Sequence, residues 1–219
     1  MGLECDVWTY RYFPHVLKSL SVVDCSVVRR LVIPLFAETK ASMVDLKSFV
    51  RDVPDYPKPG ILFRDITPLL GDPGALEAAT EAMVALFGEH QIDVIAAAEA
   101  RGFIFAAPLA IRLGAGFVPI RKPGKLPHEL HTFAYDLEYG SDELQIHVDG
   151  VQPGQRVLLV DDLLATGGTM EACCRLLEKT GAEIVGCAFL IHLVDLAGEQ
   201  RLKPYPCRSV LSYGTSSQH

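Results

Sequence analysis

The sequence predicts an α/β fold with a doubly wound parallel sheet, helices on both faces of the sheet and a β-ribbon outside it. Two observations predict it. From residue 43 onward, short apolar runs of strand length alternate with longer patterns at helical spacing, and this alternation is typical of right-handed parallel sheets. A long interval over residues 121–155 then interrupts it with segments that alternate between apolar and polar residues. Such alternation indicates a β-ribbon outside the sheet.

The individual elements follow from local patterns. Residues 43–57 have apolar residues at helical spacing, and Asp72 with Pro73 marks the start of the next helix, because an acidic cap and a proline at the first position favour one. This helix has one apolar face, formed by Leu76, Ala79, Met83, Leu86 and Phe87. A strand, a helix and a strand are predicted next, over residues 92–98, 102–113 and 117–120. After the ribbon come a strand, a helix closed by a glycine and a final strand, over residues 157–160, 169–180 and 184–192.

The composition indicates a globular chain and excludes several kinds of site. Of the 219 residues, 49% are hydrophobic and 21% are charged, and the formal net charge is −7. An acidic chain lacks the basic surface that attracts nucleic acids or anionic membranes, so neither is expected as a partner. The six cysteines form no CxxC pair or zinc spacing, and the sequence has no HExxH or GxSxG motif. We therefore expect reduced thiols, a cytoplasmic location and no hydrolase triad.

Residues 1–42 differ from the rest of the sequence. Charged residues interrupt their Val and Leu runs, so neither a membrane-spanning segment nor the apolar core of a signal peptide is predicted. Met43 is a plausible chain start. We expect an N-terminal appendage, or an over-extended start, over residues 1–42 and the main domain over residues 43–219.

The most informative segment runs from Arg156 to Thr169, where an apolar strand pattern leads into two acids and a turn. Asp161 and Asp162 are expected at the carboxyl end of the strand, where open α/β sheets bind ligands. The turn opens a helix, whose first amides and dipole favour an anion. Its residues are Ala165, Thr166, Gly167, Gly168 and Thr169. Since paired carboxylates accept hydrogen bonds from vicinal hydroxyls, the whole predicts a ribose 5-phosphate site.

Other interpretations compete with this one. A nucleoside triphosphate loop would need a lysine after the glycines, and none follows Gly167 or Gly168. Taken separately, the acids are consistent with a solvated strand end and the turn with an ordinary loop. The order of strand, acids, turn and helix favours the ligand site over these alternatives.

The segment Val-Asp-Asp-Leu-Leu-Ala-Thr-Gly-Gly-Thr, over residues 160–169, resembles the phosphoribosyl pyrophosphate signature of the type I phosphoribosyltransferases, in the form found in members that act on adenine. The resemblance extends over residues 46–200, with four motifs in the family's order. It implies the type I fold, in which residues 121–155 form a flexible hood over the active site. Closure would exclude water that competes for a reactive sugar cation.

The resemblance assigns two cationic segments to pyrophosphate. Arg101, in Glu-Ala-Arg-Gly-Phe, matches the catalytic-site cation of a loop that often contains a cis peptide, which would direct amides to the phosphate. After the next strand, Lys122 and Lys125 match pyrophosphate contacts, and Arg121 is assigned to its own or a neighbouring subunit's site. The residues alone allow other interpretations. Arg101 could be an exposed arginine at a helix start, although the helix dipole disfavours a cation there. Arg121, Lys122 and Lys125 could form a solvated basic turn.

The hood signature Tyr-Asp-Leu-Glu-Tyr-Gly, over residues 135–140, implies a general acid. Glu138 matches the family's catalytic acid, placed near N7 of the purine, and Tyr139 is assigned to substrate binding. A positioned carboxyl group contributes typically about 10²–10⁴-fold in rate. Outside the hood, Glu138 would be interpreted as a surface charge.

Residues 59–67 resemble the family's base-binding segment. The match implies that Phe63 stacks on one face of the base and Leu163 covers the other, while main-chain groups of Leu62 and Arg64 contact N1 and the 6-amino group. A mismatched buried donor or acceptor costs about 1–3 kcal/mol, so these contacts would separate adenine from hypoxanthine. Without the resemblance, Phe63 is expected in the core and Arg64 on the surface.

Together the matches imply transfer of a phosphoribosyl group from phosphoribosyl pyrophosphate to adenine, which gives AMP and pyrophosphate in purine salvage. Mg²⁺ is implied as a cofactor held mainly by the substrate's pyrophosphate, with Asp161 and Asp162 as alternative ligands. A homodimer is implied by family analogy alone, and residues 1–42 are expected to be dispensable for catalysis. Two alternatives stay open: another base, such as hypoxanthine or xanthine, and a non-catalytic purine-responsive regulator, which would need a DNA-binding module.

Overall fold

The structure, a computed structural model, describes residues 44–136 and 141–214. In chain order, the strands are β1 (Arg51–Pro54), β2 (Leu62–Asp65), β3 (Val94–Ala98), β4 (Gly116–Ile120), β5 (Leu130–Asp136), β6 (Ser141–His147), β7 (Arg156–Leu164), β8 (Glu183–Leu193) and β9 (Cys207–Tyr213). The α-helices are α1 (Thr67–Gly71), α2 (Pro73–Phe87), α3 (Gly102–Leu113) and α4 (Gly168–Glu178). Among these residues, no helix is long and apolar enough to cross a membrane.

Five strands form one parallel sheet in the order β4-β3-β7-β8-β9. β3 pairs with β4 on one side and with β7 on the other, so the direction of winding reverses there. The crevice between the carboxyl ends of β3 and β7 is therefore the switch point at which open α/β sheets bind ligands. The predicted doubly wound parallel sheet is confirmed.

Apolar side chains on both faces of the sheet hold the helices against it. Because successive strand residues point to opposite faces, β3 contributes Ile95 and Ala97 to one core and Val94 and Ala96 to the other. Fully buried helix residues on the first face come from α2 and α3 and are Ala79, Met83, Phe87, Phe105, Ala106 and Leu109. On the second face they come from α4 and are Cys173, Leu176 and Leu177.

The predicted β-ribbon is confirmed. β5 and β6 pair antiparallel outside the main sheet, from Leu130 opposite His147 to Asp136 opposite Ser141. Its apolar side chains Leu144 and Ile146 belong to the same core as α4. The ribbon is therefore fixed to the second face of the sheet at this point.

The helix predictions agree closely with the structure. α3 has the predicted bounds, and α2 begins at Pro73 as expected. The side chain of Asp72 caps α2 by accepting a 2.8 Å hydrogen bond from the amide of Ala75, a contact worth about 0.5–2 kcal/mol. α4 ends at Glu178, two residues earlier than predicted.

The predicted end of β7 is wrong. The strand continues past residue 160 through both acids to Leu164, because its ladder with β8 continues as far, with Asp161 opposite Phe189. Asp161 and Asp162 therefore lie within the strand rather than after it. They still lie near its carboxyl end.

The helix suggested for residues 43–57 is also wrong in most of its length. Leu46–Phe49 forms a single 3-10 turn, and the chain then extends into β1, which pairs antiparallel with β2. Pro54 and Pro57 cannot continue a helix, because each lacks an amide hydrogen and clashes with the preceding turn. The hairpin and β9 are elements that the sequence did not predict.

Candidate active site

Two carboxyl groups of β7 lie at the switch point. Asp162 is only 5% exposed, and its amide donates a 2.9 Å hydrogen bond to Oδ1 of Asp161. Burial raises the pKa of both carboxyl groups. The charge of Asp162 raises the pKa of Asp161 further, whereas the guanidinium of Arg101 opposes the rise at Asp162. A ligand that donates hydrogen bonds here, such as a diol, would compensate the burial of the two charges.

The turn over residues 165–169 joins β7 to α4. Gly167 caps the helix with a φ of +83°, in the left-handed region that favours glycine. The amide of Glu171 donates to the carbonyl of Gly167 at 2.8 Å, and the amides before it have no partner within the helix. The turn, both acids and Arg101 border one cavity of about 220 Å³. The residues that carry the helix-start amides thus border the same cavity as the carboxyl groups, as an anion site requires.

Arg101 connects the acids to the N-terminal hairpin. It follows the Glu99–Ala100 peptide bond, which is cis as the resemblance implies, and it directly precedes α3. Its Nε lies 2.9 Å from Oδ2 of Asp162, and its guanidinium carbon lies 5.6 Å from the ring centre of Phe63. The structure therefore brings three predicted site residues together around one guanidinium group.

The hairpin residues Phe63 and Arg64 are neither core nor free surface, which corrects the expectation from the residues alone. Phe63 is half-buried, and its ring meets that of Tyr56 edge-on with centres 5.2 Å apart. The side chain of Arg64 is 17% exposed and forms an ion pair with Asp52. Its guanidinium carbon also lies 4.1 Å from the ring centre of Tyr213. The Arg64 side chain is thus an anchor for the hairpin.

A second cavity, of about 640 Å³, adjoins the first. Leu62 and Arg64 border it with Thr166, and Thr166 also borders the first cavity. Leu62 is 45% exposed. Leu163 is half-buried and packs against the core that holds α2 and α3. The hairpin and the turn after β7 therefore face adjoining spaces.

The cationic segment after β4 is held by carboxylates. Nε of Arg121 donates to Oε2 of Glu99, and the amide of Lys122 donates to Oε1 of the same group at 3.1 Å. Nζ of Lys122 lies 2.9 Å from Oδ2 of Asp142 on the ribbon, and this hydrogen bond is the main cause of the raised pKa of Lys122. Lys125 is exposed. Arg121 and Lys122 are therefore each paired with an acid, although the Lys122 side chain is 54% exposed.

Sequence reasoning missed two groups that shape this region. Glu99 organises the cationic segment. The sequence feature that could have identified it is its position at the end of a buried strand, directly before the Ala-Arg-Gly turn. Gly198 packs against the turn after β7, where a Cβ on Gly167 would lie 2.6 Å from the Gly198 carbonyl oxygen. No local pattern indicates this contact, because it joins segments that are distant in sequence.

Two predicted site residues, Glu138 and Tyr139, lie outside the described residues. The described strands on either side of them are β5 and β6 of the ribbon. Their assignments to catalysis and substrate binding stay predictions.

Comparison with known proteins identifies the family. Residues 68–214 match the family model of the phosphoribosyl transferase domain. An adenine phosphoribosyltransferase of Rhodopirellula baltica is 74% identical over 171 residues, which are 78% of this chain and 83% of the relative. The chain belongs to the adenine phosphoribosyltransferase family. The resemblance inferred from the motifs is thereby confirmed.

Solved structures of family members have the same fold. The adenine phosphoribosyltransferase of Thermoanaerobacter pseudethanolicus is 49% identical with a TM-score of 0.75, over 77% of this chain and 98% of that one. The Saccharomyces cerevisiae enzyme, in complex with an imino-altritol bisphosphate and adenine, is 38% identical with a TM-score of 0.71, over 75% and 95% of the two chains. The predicted type I fold is confirmed.

Proposed function

We propose that the chain transfers the 5-phosphoribosyl group from phosphoribosyl pyrophosphate to adenine, giving AMP and pyrophosphate for purine salvage. The observation that carries the proposal is the arrangement of Phe63, Arg101 and Asp162. It gathers an aromatic ring, a cation and a carboxylate, which match a base, a leaving pyrophosphate and a sugar diol. The family and the 74% identity to the Rhodopirellula baltica enzyme support the same activity.

The wall formed by β7 and α4 is the proposed sugar phosphate site. The amides of residues 165–169 bind the 5-phosphate, since helix-start amides favour an anion without a cationic side chain. Asp161 and Asp162 accept hydrogen bonds from the two ribose hydroxyls. Both contacts fall on one cavity, which these residues border.

The hairpin is the proposed base site. Phe63 stacks on one face of adenine and Leu163 covers the other, while main-chain groups of Leu62 and Arg64 contact N1 and the 6-amino group. The Arg64 side chain supports this role indirectly, because it pairs with Asp52 across the hairpin and its contact with Tyr213 of β9 holds the hairpin in place.

Four cations are proposed to bind pyrophosphate. Arg101 contacts it from the start of α3, and Lys122 and Lys125 contact it from the segment after β4. Lys122 has three N–H donors, so it can donate to a phosphate oxygen as well as to Asp142. Arg121 keeps Nε on Glu99, which leaves its other N–H donors for its own or a neighbouring subunit's site.

Mg²⁺ is the proposed cofactor, held mainly by the pyrophosphate. Within residues 44–136 and 141–214, no group of three His, Cys, Asp or Glu side chains is arranged to hold a metal ion. Magnesium keeps several waters and binds substrate phosphates readily, so Asp161 and Asp162 remain available to the ribose. When bound, the ion would neutralise charge on the leaving group.

The reaction breaks the bond between C1 of the ribose and a pyrophosphate oxygen, which leaves with the electron pair. N9 of adenine then forms the new bond to C1, and the base gives up one proton. Glu138, positioned near N7, is the proposed acid-base residue: its carboxylate takes that proton from N7 of the base, and in the reverse reaction it returns the proton as the general acid. Closure of the ribbon over the site would exclude water from the sugar cation.

The proposal extends to assembly and location. A homodimer is proposed from family analogy, and the molar mass in solution tests it. A cytoplasmic location is proposed because the substrate and products are multiply charged and do not cross a lipid bilayer unaided. No nucleic acid or membrane partner is proposed, in line with the net charge of −7.

The decisive experiment is a turnover assay with phosphoribosyl pyrophosphate, Mg²⁺ and each of adenine, hypoxanthine, guanine and xanthine. We expect AMP and pyrophosphate from adenine, and a kcat/KM for the other bases lower by a factor of about 10²–10⁴. Preference for another base would identify a different purine enzyme. Absence of turnover with all four would favour the regulator.

A further inference from the structure

The carboxylate of Glu99 lies where a negative charge is unexpected. Glu99 directly follows β3 at the switch point, and its side chain is only 15% exposed. One oxygen accepts from Nε of Arg121, and the other accepts from the amide of Lys122 at 3.1 Å. Both carboxylate oxygens are therefore used on the first two residues of the cationic segment.

A carboxylate at this position is electrostatically unfavourable for pyrophosphate binding. Its benefit must therefore be geometric. A carboxylate repels an anion nearby, and it offsets the charge of one arginine in a site that binds phosphates. Its contacts instead fix positions. The charge-assisted bond from Arg121 and the backbone bond from Lys122 leave the start of this segment little freedom relative to β3.

Arg121 is held by two further residues, so Glu99 acts on an already ordered residue. Its amide and carbonyl pair with the main chain of Gln145 on the ribbon, at 2.9 and 2.7 Å. Its guanidinium carbon lies 5.8 Å from the ring centre of Phe103 in α3. Glu99 completes this frame by linking it to the Ala100-Arg101 turn.

We propose that Glu99 is a positioning residue for pyrophosphate, which sets the spacing between the turn containing Arg101 and the segment containing Lys122. This inference rests on the proposed function, which assigns pyrophosphate to both segments. Glu99 touches no reacting atom. It orders the cations before the substrate arrives, so their ordering does not reduce the binding free energy.

The protonation state of Glu99 is consistent with this role. Burial raises the pKa of its carboxyl group, but the hydrogen bonds from Arg121 and Lys122 and the charges of Arg121 and Lys125 outweigh that effect and lower it overall. The group is therefore ionised at neutral pH and holds both donors.

The test compares Glu99→Gln and Glu99→Asp with Asp93→Asn in the full chain. Asp93 lies just before the opposite end of β3, and its carboxylate lies 2.7 Å from the guanidinium of Arg156. The Asp93–Arg156 pair is therefore a control for the Glu99–Arg121 pair, far from the site. The readouts are the Kd of pyrophosphate with Mg²⁺ by calorimetry, the KM values for phosphoribosyl pyrophosphate and adenine, and the Tm.

Groups that orient the ligands of a bound centre typically contribute about 10- to 100-fold in affinity. For Glu99→Gln we expect a loss of this size in the Kd of pyrophosphate and in the KM for phosphoribosyl pyrophosphate, with the KM for adenine changed by less than about twofold. Glu99→Asp keeps the charge and recovers part of the loss. Asp93→Asn is expected to lower Tm by about as much as Glu99→Gln does. It should leave all binding constants near those of the unchanged chain.

Three results for the variants would overturn the inference. Tighter pyrophosphate binding by Glu99→Gln would mean that charge repulsion dominates. Equal losses for adenine and pyrophosphate, or equal behaviour of Asp93→Asn, would mean a general structural role. If the unchanged chain binds pyrophosphate but does not convert adenine, the proposed function fails while the calorimetry still decides the role of Glu99. If it binds no pyrophosphate, both fail.

Discussion

Replacement of Gly198 by alanine tests whether the turn over residues 165–169, the proposed phosphate site, is held in shape by the segment packed against it. Gly198 lies at the start of a 3-10 turn, Gly198–Leu202. A Cβ there would lie 3.0 Å from the amide nitrogen of Gly167, and closer still to the carbonyl oxygen of Ala165. These atoms belong to main chain on both sides, so no side chain can rotate away to make room.

The size of the effect follows from the distances. Non-bonded carbon and oxygen atoms approach to about 3.3–3.6 Å even in close Cα–H···O contacts, so the two segments must separate by roughly 1 Å. Overpacking of this kind costs about 1–3 kcal/mol, which lowers Tm by roughly 2–12 °C for a domain of this size. A 1 Å displacement of a positioned group can reduce catalysis by about 10²-fold.

The assay measures Tm, kcat and the KM for phosphoribosyl pyrophosphate of Gly198→Ala, with Gly71→Ala as the control. A Cβ on Gly71 meets nothing within 4 Å, so this variant is expected to retain activity and to gain about 0.4–1 kcal/mol in stability. Gly198→Ala should raise the KM for phosphoribosyl pyrophosphate more than that for adenine. The reasoning is refuted if Gly198→Ala loses stability while its KM for phosphoribosyl pyrophosphate is unchanged.

Three further predictions concern Glu138, Asp161 and residues 1–42. Glu138→Gln should lower kcat by about 10²–10⁴-fold with little change in the Kd of phosphoribosyl pyrophosphate, and equal loss of both would contradict its assignment. The folded-state pKa of Asp161 is raised above its ordinary 3.8, so its ionisation destabilises the fold as pH rises through that raised pKa. Asp161→Asn should therefore raise Tm at pH 7 but not below pH 3.8, which thermal scans at the two pH values would measure. The same variant should weaken the binding of phosphoribosyl pyrophosphate, which a titration at pH 7 would measure. A chain that begins at Met43 should fold and keep its turnover, and loss of most activity would show that residues 1–42 are required.

The parts of the fold that the sequence predicted are those whose signals are local. α3 was predicted with its observed bounds, because a continuous helical pattern begins and ends at glycines. Both acids, the turn after β7 and Arg101 were placed at one sheet edge, because parallel strands and the helices that follow them have a fixed order of parts. Their chemical roles in the reaction stay predictions.

The parts that the sequence did not predict depend on contacts between distant segments. β1 has only four residues and β9 lies at one edge of the sheet, and the extended conformation of each is stabilised by its partner, β2 or β8, rather than by its own pattern. The side chain of Arg64 was expected on the surface, but Asp52 and Tyr213 hold it. Glu99 was visible in its motif, yet its use on Arg121 requires knowledge that β3 and β4 are neighbours.

The two ends of the proposed substrate are met by different physical devices, and the difference follows from what happens to each end. The 5-phosphate is carried unchanged from substrate to product, and the turn proposed to bind it, residues 165–169, offers neutral amides and threonine hydroxyls, which need no counter-ion when no phosphate is bound. Pyrophosphate departs as a separate anion. Arg121 and Lys122, which are proposed to face it, already have carboxylate partners in Glu99 and Asp142. Because Asp142 remains available to Lys122 after release, loss of pyrophosphate does not leave that ammonium group unpaired, which lowers the free energy of the product-free site.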